Sequence, residues 1–108
     1  MADPREKLEN EISALWAKYR PLNLERFTAL VSVAIALRSG TLTTETRERG
    51  RNEAHKIAGA AASFGFADIS ALAQGLETQL TSDDSVDLVE FENLVRQLAK
   101  RFGFDYSS

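Results

Sequence analysis

The residue best suited to chemistry in this 108-residue chain is its only histidine, His55. A neutral imidazole nitrogen is a competent nucleophile near pH 7, and it can also accept a proton. The segment around it, residues 51–66, reads RNEAHKIAGAAASFGF and has a helical period. At about 100° per residue, its apolar positions share one face, which consists of Gly50, Ala54, Ile57, Ala61 and Phe64. His55 falls roughly opposite the middle of that face, so we expect its ring to point to solvent.

Gly59 lies one helical turn after His55 on the same face. A glycine inside a helix costs roughly 1 kcal/mol relative to alanine, so its position beside the lone histidine calls for a reason. We favour access: bare backbone lets another protein approach the ring closely. Arg51 and Ala62 flank the ring on one side and Asn52 on the other. The alternative is a close helix-packing seam from Gly59 to Ala62.

The composition argues against several other chemistries. The chain contains no cysteine and one histidine, so thiolate and histidine-rich metal sites are ruled out, and no carboxylates have ligand spacing. No arrangement of serine, histidine and acid indicates a hydrolase. We therefore expect neither a metal site nor a cofactor.

The string HKIAGAAASFG, from His55 to Gly65, resembles the motif of histidine phosphotransfer (HPt) domains. The shared pattern is a histidine, a hydrophobe two residues on, a glycine four residues on, small residues, and then a hydrophobe and glycine. The ending Phe64-Gly65-Phe66 is most similar to the HPt domains of chemotaxis histidine kinases and some hybrid sensors. A Leu76-Glu77 pair also fits the next helix of the family. The resemblance covers residues 24–102.

The resemblance implies a phosphocarrier in a two-component phosphorelay. His55 would accept a phosphoryl group from the aspartate of a receiver domain, or from a histidine kinase, and pass it to another receiver. The protein would not be an enzyme with its own turnover. In the family the reacting atom is Nε2, a neighbour often holds the other ring nitrogen, and the Mg²⁺ belongs to the receiver.

The sequence departs from the family at one position that matters for the phosphate. Many members carry a lysine three residues after the histidine, where this chain has Ala58. Arg51, one turn before His55 on nearly the same face, is our first candidate for the cation that steadies the phosphate. Lys56 is the second, because it is rotated by about 100° from His55.

A basic stretch precedes the histidine, with Arg47 and Arg49 extending it from Arg51. A receiver's phosphorylation pocket is ringed by carboxylates, so this stretch would orient a receiver. These arginines alternate with glutamates, which is also typical of a solvated helix face. We predict that partner binding involves four residues of this region: Arg47, Asn52, Gly59 and Ala62.

Length, charge and hydropathy indicate one soluble domain spanning residues 1–108. The hydrophobic content is 44% and the net charge is −3, which gives no case for nucleic-acid binding. The longest apolar run, Ala29 to Leu37, is too short to cross a bilayer, and the charged N-terminal segment does not resemble a signal peptide. We expect a cytoplasmic monomer.

Periodicity predicts five helices and no strand. The expected helices run from about residue 4 to 19, from behind Asn23 to Gly40, from 43 or 44 to 65, from behind Asp68 to about 80, and from 86 to 102, where Gly103 ends the last. A polar turn is expected at residues 81–85 and a frayed tail at 104–108. Short loops favour an all-α, antiparallel four-helix bundle, with the first helix packed across one end through Trp16.

A second function from a different class remains open on the sequence. The chain could be a helical adaptor that keeps the bundle, is not phosphorylated, and binds a signalling partner through the face around His55. Labelling by a phosphorylated receiver separates this adaptor from a phosphocarrier.

Overall fold

The computed structural model describes residues 3–82 and 85–106. These ranges contain no strand and form five α-helices, which are Pro4–Lys18 (α1), Arg20–Ser39 (α2), Thr44–Ser63 (α3), Ala67–Thr81 (α4) and Leu88–Phe102 (α5). The all-α prediction is confirmed for the part of the chain that is described. Of the predicted polar turn, Asp83 and Asp84 lie outside the described residues.

Several helix ends follow the local sequence signals. Thr43 caps α3, because its Oγ1 accepts a hydrogen bond from the backbone N–H of Thr46 at 3.1 Å. Gly40 ends α2 and Gly103 ends α5 in the left-handed region, with φ angles of 67° and 77°. These ends confirm the predictions made from Thr43, Gly40 and Gly103.

The predicted start of α2 behind Asn23 is wrong. The helix begins at Arg20, and Asn23 lies inside it, 2% exposed, with its N–H donating to Tyr19 O at 2.8 Å. Pro21 falls in the first turn of α2, where a helix does not need a backbone N–H. Asparagine caps a helix only where the chain enters the helix at that residue, and here the chain is already helical from Arg20.

Two further predicted starts are displaced. The fourth helix begins at Ala67, so Asp68 is not its N-cap but a first-turn residue whose carboxylate accepts from the N–H of Ile69 at 2.9 Å. The fifth begins at Leu88, two residues later than predicted. Asp87 caps it by accepting from the N–H of Glu90 at 3.1 Å.

Helices α2 to α5 surround one hydrophobic core. Helix α3 packs against α2 and α4, and α5 packs against the same two helices. The fully buried large side chains come from all four helices and include Leu30, Val33, Ile57, Leu76, Phe91, Val95 and Leu98. This core fixes the rotation of α3 and therefore decides which of its residues face solvent.

Helix α1 extends beyond this core and buries no residue. Tyr19, between α1 and α2, has helical dihedral angles (φ −84°, ψ −2°). Residues 4–39 at about 1.5 Å each give about 54 Å, close to the longest dimension of the molecule, 57 Å. The predicted contact through Trp16 is present, since its ring centroid lies 4.9 Å from that of Phe64 and 5.0 Å from that of Phe66.

The segment after α5 is packed, so the prediction of a frayed tail is wrong for residues 104–106. The rings of Phe104 and Tyr106 lie 5.4 and 6.1 Å from the Phe27 ring. Arg20 donates to the carbonyl oxygens of Phe102 at 3.0 Å and Gly103 at 3.2 Å. The tail is rich in aromatic residues, and aromatic burial outweighs the usual mobility of a chain end. Ser107 and Ser108 lie outside the described residues.

None of the described helices combines the length and the hydropathy required to cross a membrane.

Candidate functional site

The two faces of α3 separate as the sequence predicts. Gly50, Ala54, Ile57 and Ala61 are buried, and Phe64 is half-buried at the end of the helix. Ala58 is also buried, at 5% exposure, although it is not part of the predicted apolar face. The opposite side of the helix is left to solvent, and His55 lies on it.

Glu77 of α4 fixes the orientation of the His55 ring. The imidazole side chain is 74% exposed, and its Nδ1 lies 2.8 Å from Oε2 of Glu77. An ionised carboxylate can only accept a hydrogen bond, so Nδ1 carries the proton and Nε2 keeps its lone pair. In the neutral imidazole, an exposed Nε2 with its lone pair can act as a nucleophile.

Sequence analysis missed the pairing of Glu77 with His55. It noted the Leu76-Glu77 pair as a family feature but gave the carboxylate no partner. A usable signal was present: Phe66, in the turn between α3 and α4, lies midway between the two residues in the sequence. In an antiparallel helix pair, residues equidistant from the turn lie at the same level.

Two glycines of α3 stand in opposite environments. A Cβ atom added to Gly59 would meet nothing within 4 Å, whereas one added to Gly50 would lie 2.6 Å from Val33 Cγ2 and 3.1 Å from Leu80 Cδ1. Gly50 therefore serves close packing between helices. Gly59 serves no packing contact within the described chain, so its effect is to leave the backbone beside His55 uncovered.

A groove between α3 and α4, the α3–α4 groove, runs beside the histidine. The residues that line this groove are His55, Ala58, Gly59, Ala62, Gln74, Glu77 and Thr78. A second hollow shares Ala62 and Gln74 with it and continues towards the turn, past Gly65, Ala67, Ser70 and Ala71. The groove is open to solvent and mostly lined by small side chains.

The candidate cations differ in their surroundings. Lys56 Nζ donates to Glu53 Oε1 at 3.1 Å, and Arg26 Nε lies 4.0 Å from the other oxygen of that carboxylate. Arg51 is half-buried and makes no hydrogen bond or ion pair with any residue in the described ranges. Lys56 would have to leave Glu53 to reach a group on His55, whereas Arg51 gives up no such contact.

The remaining predicted partner residues are placed as follows. Asn52 and Ala62 are exposed on the His55 side of α3. Arg47 is half-buried, and its Nε donates to Leu80 O at 3.0 Å while a terminal nitrogen donates to Ser82 O. Its guanidinium therefore satisfies carbonyl groups at the C-terminal end of α4, where the helix cannot.

Within residues 3–82 and 85–106, no three carboxylate or histidine side chains come together as ligands for a metal ion. What the site offers is one oriented nucleophilic nitrogen on an open surface.

One of three comparisons with known proteins gives a match. A family model described as the Hpt domain matches residues 5–101, nearly the whole chain and including α1. Neither the curated proteins nor the solved structures give a match. The chain belongs to the Hpt-domain family, whose members carry phosphoryl groups on a histidine in two-component phosphorelays. Hpt domains are phosphocarriers and interact with receiver domains and kinases.

Proposed function

We propose that His55 is the phosphoacceptor of this Hpt domain, and that it takes a phosphoryl group from the aspartate of one receiver domain, or from a kinase, and passes it to another receiver in the cytoplasm. The observation that carries the proposal is the exposed imidazole whose Nδ1 is held by Glu77 at 2.8 Å. The resulting tautomer presents Nε2 to an incoming aspartyl phosphate.

The transfer needs no proton movement. Nε2 attacks phosphorus, the bond between phosphorus and the aspartate oxygen breaks, and the aspartate leaves as a carboxylate. The product ring carries phosphorus on Nε2 and the proton on Nδ1, so it becomes cationic. The Glu77 carboxylate stabilises this cation across the existing hydrogen bond. In the second transfer an aspartate oxygen attacks phosphorus, and neutral His55 leaves.

The receiver supplies what the chain lacks. Phosphoryl transfer requires positioning and charge stabilisation more than covalent chemistry, and the Mg²⁺ that stabilises the phosphate belongs to the receiver. We propose that the receiver docks over the α3–α4 groove, with Gly59 and Ala62 permitting close approach and Asn52 and Arg47 at its margin. Arg51 is the preferred cation for the phosphohistidine, ahead of Lys56.

We propose further that the chain is one domain, in which α2 to α5 form an antiparallel four-helix bundle and α1 is the additional helix. Support comes from the packing of each of these four helices against two others around a shared core. The bundle holds α3 and α4 in register, and this register brings Glu77 to His55.

The test is incubation of the full chain with receiver domains phosphorylated on aspartate with radioactive phosphate. The expected result is a label on this chain that is labile in acid and stable in base, as for a phosphoimidazole. A folded chain that binds a receiver without acquiring label would instead support the non-phosphorylated adaptor.

A further inference from the structure

The apolar stripe of α1 is only partly covered by the rest of the described chain. Leu8, Leu15, Tyr19 and Leu22 are 56%, 46%, 40% and 37% exposed, and Ile12 between them is half-buried. These five residues, the α1 stripe, follow one another at intervals of four, three, four and three. Such spacing is the seven-residue repeat of a coiled-coil seam. The helical conformation of Tyr19 lets the stripe continue from α1 into the first turn of α2.

Little else stabilises α1. Apart from its connection to α2, its ring contacts to the bundle end come from Trp16 in its last turn and from Tyr19 just after it. A helix of 15 residues is marginally stable in water by itself, and most helices in proteins depend on packing of an apolar face. On the α1 stripe such packing is incomplete: the Tyr19 ring contacts Phe64 at 5.5 Å, whereas Leu8 and Leu15 stay 56% and 46% exposed.

The charges beside the stripe favour a second copy of the same stripe. Glu11 and Lys18 each precede a stripe residue by one position and therefore lie along one flank of the seam. In an antiparallel pair, Leu8 packs opposite the partner's Tyr19, and Glu11 of each copy lies beside the partner's Lys18. In a parallel pair, Glu11 would lie beside the partner's Trp16, and Lys18 beside the partner's Asn23. Only the antiparallel pair brings opposite charges together, and it does so twice.

We propose that the α1 stripe is a self-association surface, through which two copies of this chain pair their α1 helices antiparallel. This proposal departs from the monomer expected from the sequence. Five side chains per copy bury less than the roughly 1,600 Å² of a standard interface, so the dimer is weak, with a dissociation constant in the micromolar range or above. His55 lies in the middle of α3, away from α1, and stays accessible in the pair.

The experiment is sedimentation equilibrium of the full chain at low salt over a concentration series reaching about 1 mM, which spans dissociation constants of the weak range. We expect a monomer–dimer equilibrium. The double variant Leu8→Ser/Leu15→Ser should be monomeric, and the matched control Ile35→Ser, which alters an exposed hydrophobe of α2 outside the stripe, should dimerise normally. Circular dichroism verifies that each variant retains the bundle.

Charge reversal tests the direction of pairing. Glu11→Lys and Lys18→Glu each place like charges at both contacts, so each should weaken dimerisation at least about fivefold. An equimolar mixture of these two variants restores both opposite-charge contacts in a heterodimer, and the double variant restores them in a homodimer. Recovery in both samples supports the antiparallel pair.

Three results would overturn the proposal. A wild-type chain that stays monomeric throughout the series rules out the self-association surface. A dimer that survives Leu8→Ser/Leu15→Ser uses another face. A dimer that depends on these leucines but is indifferent to both charge reversals does not pair antiparallel in the proposed register.

Discussion

The two halves of α3 use the same residue type for opposite purposes. In the first half, Gly50 is buried where a methyl group would meet Val33 at 2.6 Å. In the second half, Gly59 is exposed with nothing near its missing side chain, one turn from the exposed ring of His55. The first glycine lets neighbouring helices of the same chain pack closely, and the second leaves the backbone beside His55 uncovered. A helix therefore encodes packing and access by which of its faces the glycine occupies.

The largest effect should come from the acceptor itself. His55→Gln removes the nucleophilic nitrogen, so we expect complete loss of the label acquired from a phosphorylated receiver. Because the side chain is largely exposed, the free energy of unfolding should change by no more than about 0.5 kcal/mol. Denaturant unfolding and radiolabelling are the two measurements. Label retained on another residue of a folded variant would contradict the assignment of His55.

A bulky residue at position 59 should cover the exposed backbone beside His55. In Gly59→Gln the side chain covers backbone that the receiver must approach, so we expect transfer to fall by about a hundredfold, comparable to other small misplacements of reacting groups. Gly59→Ala is the control, and it should transfer nearly normally. If the glutamine variant is folded and transfers at the wild-type rate, Gly59 does not provide access.

Gly50 and Gly59 should also differ in how an alanine at each position changes the free energy of unfolding. Gly50→Ala forces a methyl group against Val33, whose branched side chain has little rotamer freedom, at a cost of roughly 1–3 kcal/mol that helix propensity offsets by up to about 1. Gly59→Ala meets nothing and should stabilise the protein by about 0.5–1 kcal/mol. The measurement is the unfolding free energy of both variants in urea. If the unfolding free energy rose in both variants, or fell in both, the two glycines would not differ in their role in packing.

Glu77 should increase the transfer rate in two ways, by orienting the His55 ring and by its negative charge. Two variants separate these two contributions. Glu77→Ala removes both, and we expect transfer to slow about tenfold, the equivalent of one charge-assisted hydrogen bond of about 1.4 kcal/mol. Glu77→Gln can still accept from Nδ1 but has no charge, so its rate should lie between those of Glu77→Ala and wild type. The measurement is the single-turnover transfer rate of wild type, Glu77→Ala and Glu77→Gln. Equal rates for wild type and Glu77→Ala would show that the hydrogen bond is not used.

The smallest effect concerns the cation near the phosphate. We expect Arg51→Ala to slow transfer by roughly fivefold, and by more than Lys56→Ala, because an exposed contact contributes on the order of 1 kcal/mol. The effect should shrink in high salt, since exposed charges are screened over about 10 Å at 0.1 M. Transfer rates of both variants at two salt concentrations provide the test. A slower Lys56→Ala protein would reverse the ranking.

The sequence predicted those features of the fold that depend on local pattern. The buried face of α3 follows from helical period, and the left-handed ends at Gly40 and Gly103 follow from glycine. Asn23 is not the N-cap of α2 because the helix begins three residues earlier, where Pro21 suits the first turn. The hydrogen bond from His55 to Glu77 depends on the register between two helices, which no single stretch of sequence contains.

Arg20 has a consequence for the order in which the molecule assembles. Its guanidinium donates to Phe102 O and Gly103 O across 82 and 83 residues of sequence, and it lies over the Phe104 ring at 4.8 Å from the centroid. Contacts between consecutive helices close short loops, whereas the Arg20 contacts close loops of 82 and 83 residues and cost more loop-closure entropy. The Arg20 contacts therefore stabilise the molecule fully only after the intervening helices have packed and brought Arg20 close to Phe102, Gly103 and Phe104.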